Sequence, residues 1–226
     1  MSLKIILIRH GESDGNAQGR FCGFRDVDLT EKGVWQAERL AYRLKGSQFD
    51  KIYCSDLKRA RCTTEIAFKS HGIEIISSSN LREMNFGIWE GHTFEEIKEK
   101  NKYGEEFISW LKNPKTIPAI PQGENFIDFK NRVIGELDRI IKEHYELSTE
   151  KPIAIVSHGG AIRIILCNVL NLDMKYMWKI EQSPSALNII DYYDGKGFIS
   201  LINDTSHLED WWESGLKINT EKKKDE

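Results

Sequence analysis

Short apolar segments alternate along the chain with longer stretches in which apolar residues recur every three or four positions. Unbroken runs of Ile, Leu and Val predict buried strands, and the three-to-four spacing predicts amphipathic helices. Residues 186–193 and 198–202 flank the turn sequence Asp194-Gly195-Lys196-Gly197, which predicts a hairpin. The predicted buried strands are residues 3–8, 52–54, 74–77 and 152–156.

Amphipathic helices are predicted between these strands. Thr30 is the predicted N-cap of the first helix, and Ser55 or Asp56 is the predicted N-cap of the second. Because strands and helices alternate, the chain is predicted to form an α/β fold with a mostly parallel sheet and helices on both faces. The four helices are predicted to end near Leu44, Phe68, Tyr145 and Leu170. The apolar face of the first is assigned to Val34, Ala37, Leu40, Ala41 and Leu44.

The middle of the chain interrupts this alternation. Residues 81–122 are predicted to form an irregular, partly helical cap inserted into a single domain of residues 1–226, with helices over 94–100 and 103–111. Three prolines break the segment that follows, and residues 217–226, rich in Lys and Glu, are predicted to be disordered. The prolines are Pro114, Pro118 and Pro121.

Charge and cysteine content narrow the class of protein. The 226 residues include Lys+Arg 32 and Asp+Glu 35, a net charge of -3 that argues against a nucleic-acid or membrane partner. The four cysteines have no metal-ligand spacing, and the apolar start is too short for a signal peptide. A cytoplasmic protein is therefore predicted, with its oligomeric state undetermined. Core packing is favoured over a subunit contact for Trp211-Trp212.

Histidine and arginine side chains stand where three predicted strands end. Arg9-His10-Gly11 follows the first strand, Arg59 follows the second, and His158-Gly159 follows the late one. The carboxyl ends of parallel strands meet at one edge of a sheet, so these residues are expected to converge. Cationic side chains beside backbone N–H groups form an anion site, and glycine after each histidine allows the backbone to approach the anion closely.

Five motifs, in this order, resemble those of the histidine phosphatase superfamily, which includes the cofactor-dependent phosphoglycerate mutases. The resemblance extends over nearly the whole chain. The motifs are Arg9-His10-Gly11-Glu12 with Ser13 and Asn16 three and six residues after His10, GFRDVDLTEKG at 23–33, Ser55-Asp56-Leu57-Lys58-Arg59-Ala60, LREMNFGIWEG at 81–91, and Ser157-His158-Gly159.

The resemblance implies a role for each of these residues. His10 attacks phosphorus as a neutral imidazole, favoured by Arg9 and Arg59, and forms a phosphohistidine. Glu83 protonates the leaving alkoxide and then takes a proton from water. No metal and no cofactor is required, and the implied partner is a small phosphorylated metabolite. The remaining implied phosphate and substrate contacts are His158, Gly159, Ser13, Asn16, Cys22 and Gly23.

Three other functions remain open at this stage. Asp26-Val27-Asp28-Leu29-Thr30 matches the DxDxT motif of Mg²⁺-dependent aspartyl-phosphate phosphatases, but no buried strand precedes it, which favours a turn and helix cap. A phosphoglycerate mutase is less favoured than a phosphatase, because Met84-Asn85-Phe86 stands where the mutases carry Arg-His-Tyr, and their Arg-Lys-Ser-Phe-Asp segment is absent. A non-catalytic phospho-ligand binding module is the third.

Residues of the cap resemble one branch of the superfamily. Gly87-Ile88-Trp89-Glu90-Gly91, Trp110 and Pro121-Gln122-Gly123-Glu124, with Arg132 nearby, are similar to the α-ribazole and broad-specificity phosphatases. This resemblance implies α-ribazole 5′-phosphate, and hence cobalamin biosynthesis, as one candidate role. Trp89 and Trp110 are interpreted either as core residues or as an apolar wall for the organic part of the substrate.

Overall fold

In the computed structural model, which describes residues 2–99, 103–117, 119–147 and 151–209, six strands form one mixed sheet. The strands are Ser2–Arg9 (β1), Ile52–Ser55 (β2), Ile75–Ser78 (β3), Ile153–Ser157 (β4), Leu187–Tyr193 (β5) and Lys196–Asp204 (β6). Their order is β3-β2-β4-β1-β5-β6; the first four run parallel to one another, β5 is antiparallel to β1, and β6 is antiparallel to β5. The predicted α/β fold and C-terminal hairpin are confirmed.

The central strand β1 is apolar on both of its faces because helices cover the sheet on both sides. Ile5 and Leu7 belong to one core cluster, whereas Ile6 and Ile8 belong to the other. In the parallel pair with β4, Ile8 lies opposite Val156, so the two strands end side by side. An unbroken apolar run is the pattern expected of a strand buried on both faces.

The described ranges contain seven helices, and the four longest of them cover the two faces of the sheet. The seven are Asp14–Ala17 (α1), Glu31–Leu44 (α2), Lys58–Ala67 (α3), Phe94–Lys98 (α4), Gly104–Lys112 (α5), Phe126–Leu147 (α6) and Gly159–Val169 (α7). Leu40 of α2 and Ala60 of α3 pack on one face, and Val133 of α6 and Ile162 of α7 pack on the other. No helix among the described residues is long and apolar enough to cross a membrane.

The predicted caps of α3 are wrong. The N-cap is Leu57, which makes no side-chain capping bond, and Ser55 is the last residue of β2. Asp56 accepts two bonds from the Arg82 guanidinium, at 2.7 and 2.6 Å. A carboxylate from a distant loop, that of Asp26, accepts the Lys58 N–H at the start of α3 instead, at 2.7 Å.

One assigned core position of α2 is also wrong. Val34 is 39% exposed, because Gly33 takes the inward position beside it. A Cβ on Gly33 would lie 2.0 Å from the carbonyl oxygen of Glu12, so α2 approaches this backbone closely only through a glycine. Thr30 caps α2 as predicted, since its hydroxyl accepts the Gly33 N–H at 3.0 Å.

The inserted segment 81–122 packs on the same core as α6. Trp89 and Trp110 are each 1% exposed, with ring centroids 5.5 Å apart, and Phe107 lies 5.1 Å from Trp89. Side chains buried in this way are core residues, so the interpretation of the two tryptophans as a substrate wall fails. Pro118, Trp211-Trp212 and the predicted disorder of 217–226 lie outside the described residues.

Candidate active site

The site lies at the carboxyl edge of the sheet, where β1 and β4 end. His10 and His158 directly follow these strands, and their ring centroids are 5.0 Å apart. The His10 N–H donates to the carbonyl oxygen of Ser157 at 3.0 Å, which extends the strand pairing by one residue. The two predicted histidines are therefore brought together by the parallel register, and both are buried.

The backbone carbonyl of the next residue holds His10 in one tautomer. Its Nδ1 lies 2.6 Å from the carbonyl oxygen of Gly11, and because a carbonyl only accepts, Nδ1 carries the proton. The lone pair is then on Nε2. Burial, and secondarily the charges of Arg59 and Arg9, hold the pKa of His10 well below its usual value. Neutral His10 was predicted from the arginines alone, whereas burial is the larger cause.

Arg59 is a buried cation held by backbone carbonyls. Its guanidinium donates to the carbonyl oxygens of Cys22 at 3.1 Å, Gly23 at 2.8 Å and Arg25 at 3.0 Å. Only 1% of the arginine is exposed, and burial lowers its pKa. Cys22 and Gly23 were predicted as substrate contacts; here their carbonyl oxygens position the arginine.

Glu90 holds this carbonyl loop in place, and the sequence did not single it out as a functional residue. One carboxylate oxygen accepts the N–H of Phe24 at 2.7 Å and of Phe86 at 3.2 Å, and the other accepts the N–H of Arg25 at 2.7 Å. A Cβ on Gly23 would lie 1.9 Å from the carbonyl oxygen of Met84. Glu90 and Gly23 thus hold the segment 22–25, whose carbonyl oxygens bind Arg59, against the loop that carries Glu83.

Arg9 lies beside a third arginine that sequence reasoning missed. Arg9 donates to the carbonyl oxygen of Gln182, and burial followed by the charge of Arg163 lowers its pKa to about 10. Arg163 is fixed by its Nε, which donates to the carbonyl oxygen of Ile180 at 2.7 Å. A Cβ on Gly159 would lie 2.9 Å from Arg163 Nη1. The spacing of Gly159 and Arg163, one turn of α7, was the available signal.

The carboxylate of Glu83 is seated on the first turn of α7. One of its oxygens accepts the Gly160 N–H at 2.8 Å, and the other accepts the Met84 N–H at 2.9 Å. The backbone of Glu83 is also held, because Arg132 donates to its carbonyl oxygen at 2.7 Å. The Ser157 hydroxyl, next to His158, donates to the Leu81 carbonyl oxygen at 2.7 Å, which ties the two loops together.

Ser13, Asn16 and Gly11 have local structural roles. The Ser13 hydroxyl and N–H donate to the side-chain oxygen of Asn16, at 3.0 and 3.1 Å, within a capping box for α1. A Cβ on Gly11 would lie 2.6 Å from the Gly33 carbonyl oxygen. Gly11 is therefore required for packing against α2, and the predicted reason, close approach to an anion, is not the one that the structure shows.

The DxDxT string does not have the geometry of an aspartyl nucleophile. Asp26 is exposed in a loop and does not follow a strand, and its carboxylate caps α3 through Lys58. Within the described ranges, no three His, Cys, Asp or Glu side chains are grouped so that they could hold a metal ion.

The lowered pKa values of three buried histidines predict how the free energy of unfolding depends on pH. Burial lowers the pKa of His10 and His158 well below 6.5, and lowers that of His207 to about 4. Below pH 6.5 the unfolded chain therefore binds more protons, and the free energy of unfolding is expected to fall as the pH is lowered from 7 to 4. His207 alone contributes a loss on the order of 3 kcal/mol.

Urea denaturation at several pH values would measure this effect. The variant His207→Gln removes one titrating group, which lies in the short turn Ser206–Leu208 after β6, so its stability is expected to depend less steeply on pH. Equal slopes for the variant and the wild type would contradict the assignment.

Comparisons with known proteins agree with the geometry. A sequence model of the "Histidine phosphatase superfamily (branch 1)" matches residues 5–205. "Phosphoserine phosphatase 1" of Hydrogenobacter thermophilus is 32% identical over 210 residues, 93% of this chain and 96% of the relative. "Adenosylcobalamin/alpha-ribazole phosphatase" of Salmonella typhimurium is 28% identical over 202 residues, 89% of this chain and 96% of the relative. The solved structure of Bacillus stearothermophilus YhfR is 28% identical and has a TM-score of 0.82, over 92% of this chain and 100% of YhfR.

Proposed function

The chain belongs to branch 1 of the histidine phosphatase superfamily, and from this membership and the site geometry we propose that it is a metal-independent phosphomonoesterase acting through phospho-His10. One observation carries the proposal. His10 is a neutral imidazole whose Nδ1 is bonded to the Gly11 carbonyl, so that Nε2 has a free lone pair in a site that also holds the charges of Arg59 and Arg9. The proposal also assigns residues 81–122 as the cap of a single domain.

In the first step, Nε2 of His10 attacks phosphorus and the bond from phosphorus to the ester oxygen breaks. Glu83, protonated at this stage, gives its proton to the departing alkoxide, so that an alcohol leaves. Arg9 and Arg59 stabilise the negative charge on the transferring phosphoryl oxygens, because both guanidinium groups are fixed before the substrate binds. His158 and the first turn of α7 complete the cradle.

In the second step, water attacks the phosphorus of phospho-His10 and the bond from nitrogen to phosphorus breaks. Glu83, now a carboxylate, takes a proton from this water and returns to its starting state. Inorganic phosphate leaves. The Gly160 N–H holds the Glu83 side chain at the N-terminal turn of α7, so the same carboxyl group is in place for both steps.

The proposed substrate is a small phosphorylated metabolite. The names of the similar proteins supply two candidates, phosphoserine and α-ribazole 5′-phosphate, and the second would place the enzyme in cobalamin biosynthesis. Hydrolysis is proposed over return of the phosphoryl group to the substrate, because Met84 and Asn85 stand where the mutases carry Arg and His, and two cations that would retain an acidic product are therefore missing.

The first test is hydrolysis of p-nitrophenyl phosphate in excess EDTA and again with added Mg²⁺, followed by a panel of phosphoserine, α-ribazole 5′-phosphate and 3-phosphoglycerate. Release of inorganic phosphate is expected to survive EDTA. A strict requirement for Mg²⁺ would overturn the phosphohistidine route. Isomerisation of 3-phosphoglycerate without phosphate release would identify a mutase, and phosphoester binding without turnover would identify a binding module.

A further inference from the structure

Ser55 lies at the end of β2, beside the second histidine of the site. Its side chain is fully buried, and its hydroxyl oxygen is 2.8 Å from Nε2 of His158. The N–H of Leu57 approaches the same oxygen, at 3.4 Å. The sequence pattern predicted a helix cap at Ser55, but the tertiary structure turns the hydroxyl to His158 instead.

The ring of His158 has one other nitrogen, which is buried and without a hydrogen-bond partner among the residues that the structure describes. This nitrogen, Nδ1, belongs to a ring whose centroid is 5.0 Å from that of His10. Burial, and then the charge of Arg59, hold the pKa of His158 well below its usual value. His158 is therefore neutral and carries one ring proton, on either Nε2 or Nδ1.

The partners of the Ser55 hydroxyl decide between the two nitrogens. A hydroxyl has one proton to donate and two lone pairs to accept with. The Leu57 N–H points at one lone pair, so the hydroxyl proton is left to be donated, and Nε2 of His158 is the acceptor at hydrogen-bonding distance. If Nε2 carried the ring proton instead, both the hydroxyl proton and Nδ1 would lack a partner among the described residues, whereas the first arrangement leaves only the Nδ1 N–H without one.

We infer that Ser55 is a positioning residue that fixes the tautomer of His158: its hydroxyl donates to Nε2, so that Nδ1 carries the ring proton and offers it to the phosphoryl group. The opposite tautomer would direct a lone pair at phosphoryl oxygens, which repels them. The catalytic meaning of this inference rests on the proposed function, whereas the tautomer itself does not.

Nitrogen NMR of the protein labelled in its histidines tests the tautomer directly, because protonated and unprotonated ring nitrogens have distinct shifts. Wild-type His158 is expected to be protonated on Nδ1. In Ser55→Ala this preference is expected to be lost, while the tautomer of His10, set by the Gly11 carbonyl, stays the same. A wild-type His158 protonated on Nε2, or a tautomer unchanged in Ser55→Ala, would overturn the inference.

Kinetics test the consequence. Ser55→Ala is expected to lower kcat/KM by about 10- to 100-fold, the usual effect of losing a group that orients a site residue. The loss is expected to be similar for p-nitrophenyl phosphate and phosphoserine, because His158 contacts the phosphoryl group and not the leaving group. Ser55→Thr, which keeps the hydroxyl, is expected to restore much of the rate. Activity of Ser55→Ala equal to wild type would overturn the catalytic role.

Thr64→Val is the matched control for loss of a buried hydroxyl. The Thr64 hydroxyl is buried in α3 and donates to the Ala60 carbonyl oxygen at 2.7 Å, with no contact to either histidine. Its removal is expected to leave both the His158 tautomer and kcat/KM unchanged. If the wild-type protein hydrolyses no phosphoester, the proposed function fails while the nitrogen shifts of His158 still decide the tautomer.

Discussion

The substitution His10→Ala is expected to lower kcat for phosphomonoester hydrolysis by at least about 10⁴-fold, because it removes the nucleophile and leaves only the phosphate cradle. No other described side chain replaces its Nε2 between Arg9 and Arg59, since the second ring, that of His158, is held through Ser55. The rate is measured as inorganic phosphate released. Rapid acid-free quenching with radiolabelled substrate is expected to trap label on the wild type and none on the variant.

Binding should survive this substitution. The two arginines are positioned by Gln182 and by the carbonyls of Cys22 and Gly23, none of which depends on the imidazole. The affinity of His10→Ala for inorganic phosphate is therefore expected to stay within about tenfold of wild type, a change below 1.4 kcal/mol.

His71→Ala is the control, because His71 bonds the Leu44 carbonyl far from the carboxyl edge of the sheet. This variant is expected to keep its activity. Retention of a phosphoenzyme in His10→Ala would move the nucleophile to another residue and overturn the mechanism.

The substitution Glu83→Gln is expected to separate substrates by their leaving groups. Phosphoserine releases an alkoxide that needs a proton, so its kcat/KM is expected to fall by about 10²- to 10³-fold. The value for p-nitrophenyl phosphate should fall less than about tenfold, because nitrophenolate leaves without protonation. The ratio kcat/KM reports the transfer to His10 and excludes the later attack of water. Equal losses for the two substrates would show that Glu83 is not the proton donor.

A glycine next to the carboxylate provides an independent version of this experiment. A Cβ at Gly160 would lie 2.2 Å from a carboxylate oxygen of Glu83, so Gly160→Ala displaces the acid without changing its chemistry. The same selectivity for leaving groups is expected. Gly135→Ala is the matched control, because apart from its chain neighbours and the adjacent backbone of α6 nothing lies within 4 Å of its added Cβ. It should stabilise the fold by about 0.5–1 kcal/mol and leave the kinetics unchanged.

Local patterns determined the scaffold and the order of the site. The apolar runs that became β1 and β4 are buried strands because each consists of residues that pack on both faces of a sheet. Parallel strands end at one edge, so His10 and His158 converge without any knowledge of loops. The cap at Thr30 was predictable because it is a local contact: the side chain bonds a backbone N–H only three residues away.

Only the tertiary structure decided how these side chains are held. Asp26 caps α3 from a loop position 32 residues before Lys58. Glu90 accepts the N–H of Arg25, which is 65 residues earlier, and so holds the segment 22–25 that binds Arg59. The proton positions on the two histidine rings likewise depend on a neighbouring carbonyl and on Ser55 of another strand. Periodicity and spacing describe contacts made within a few residues, whereas hydrogen bonds, burial and charge act between any groups that folding places side by side. The sequence therefore determined that the two histidines meet at one edge of the sheet, and packing in three dimensions decided which other side chains hold them and where their protons lie.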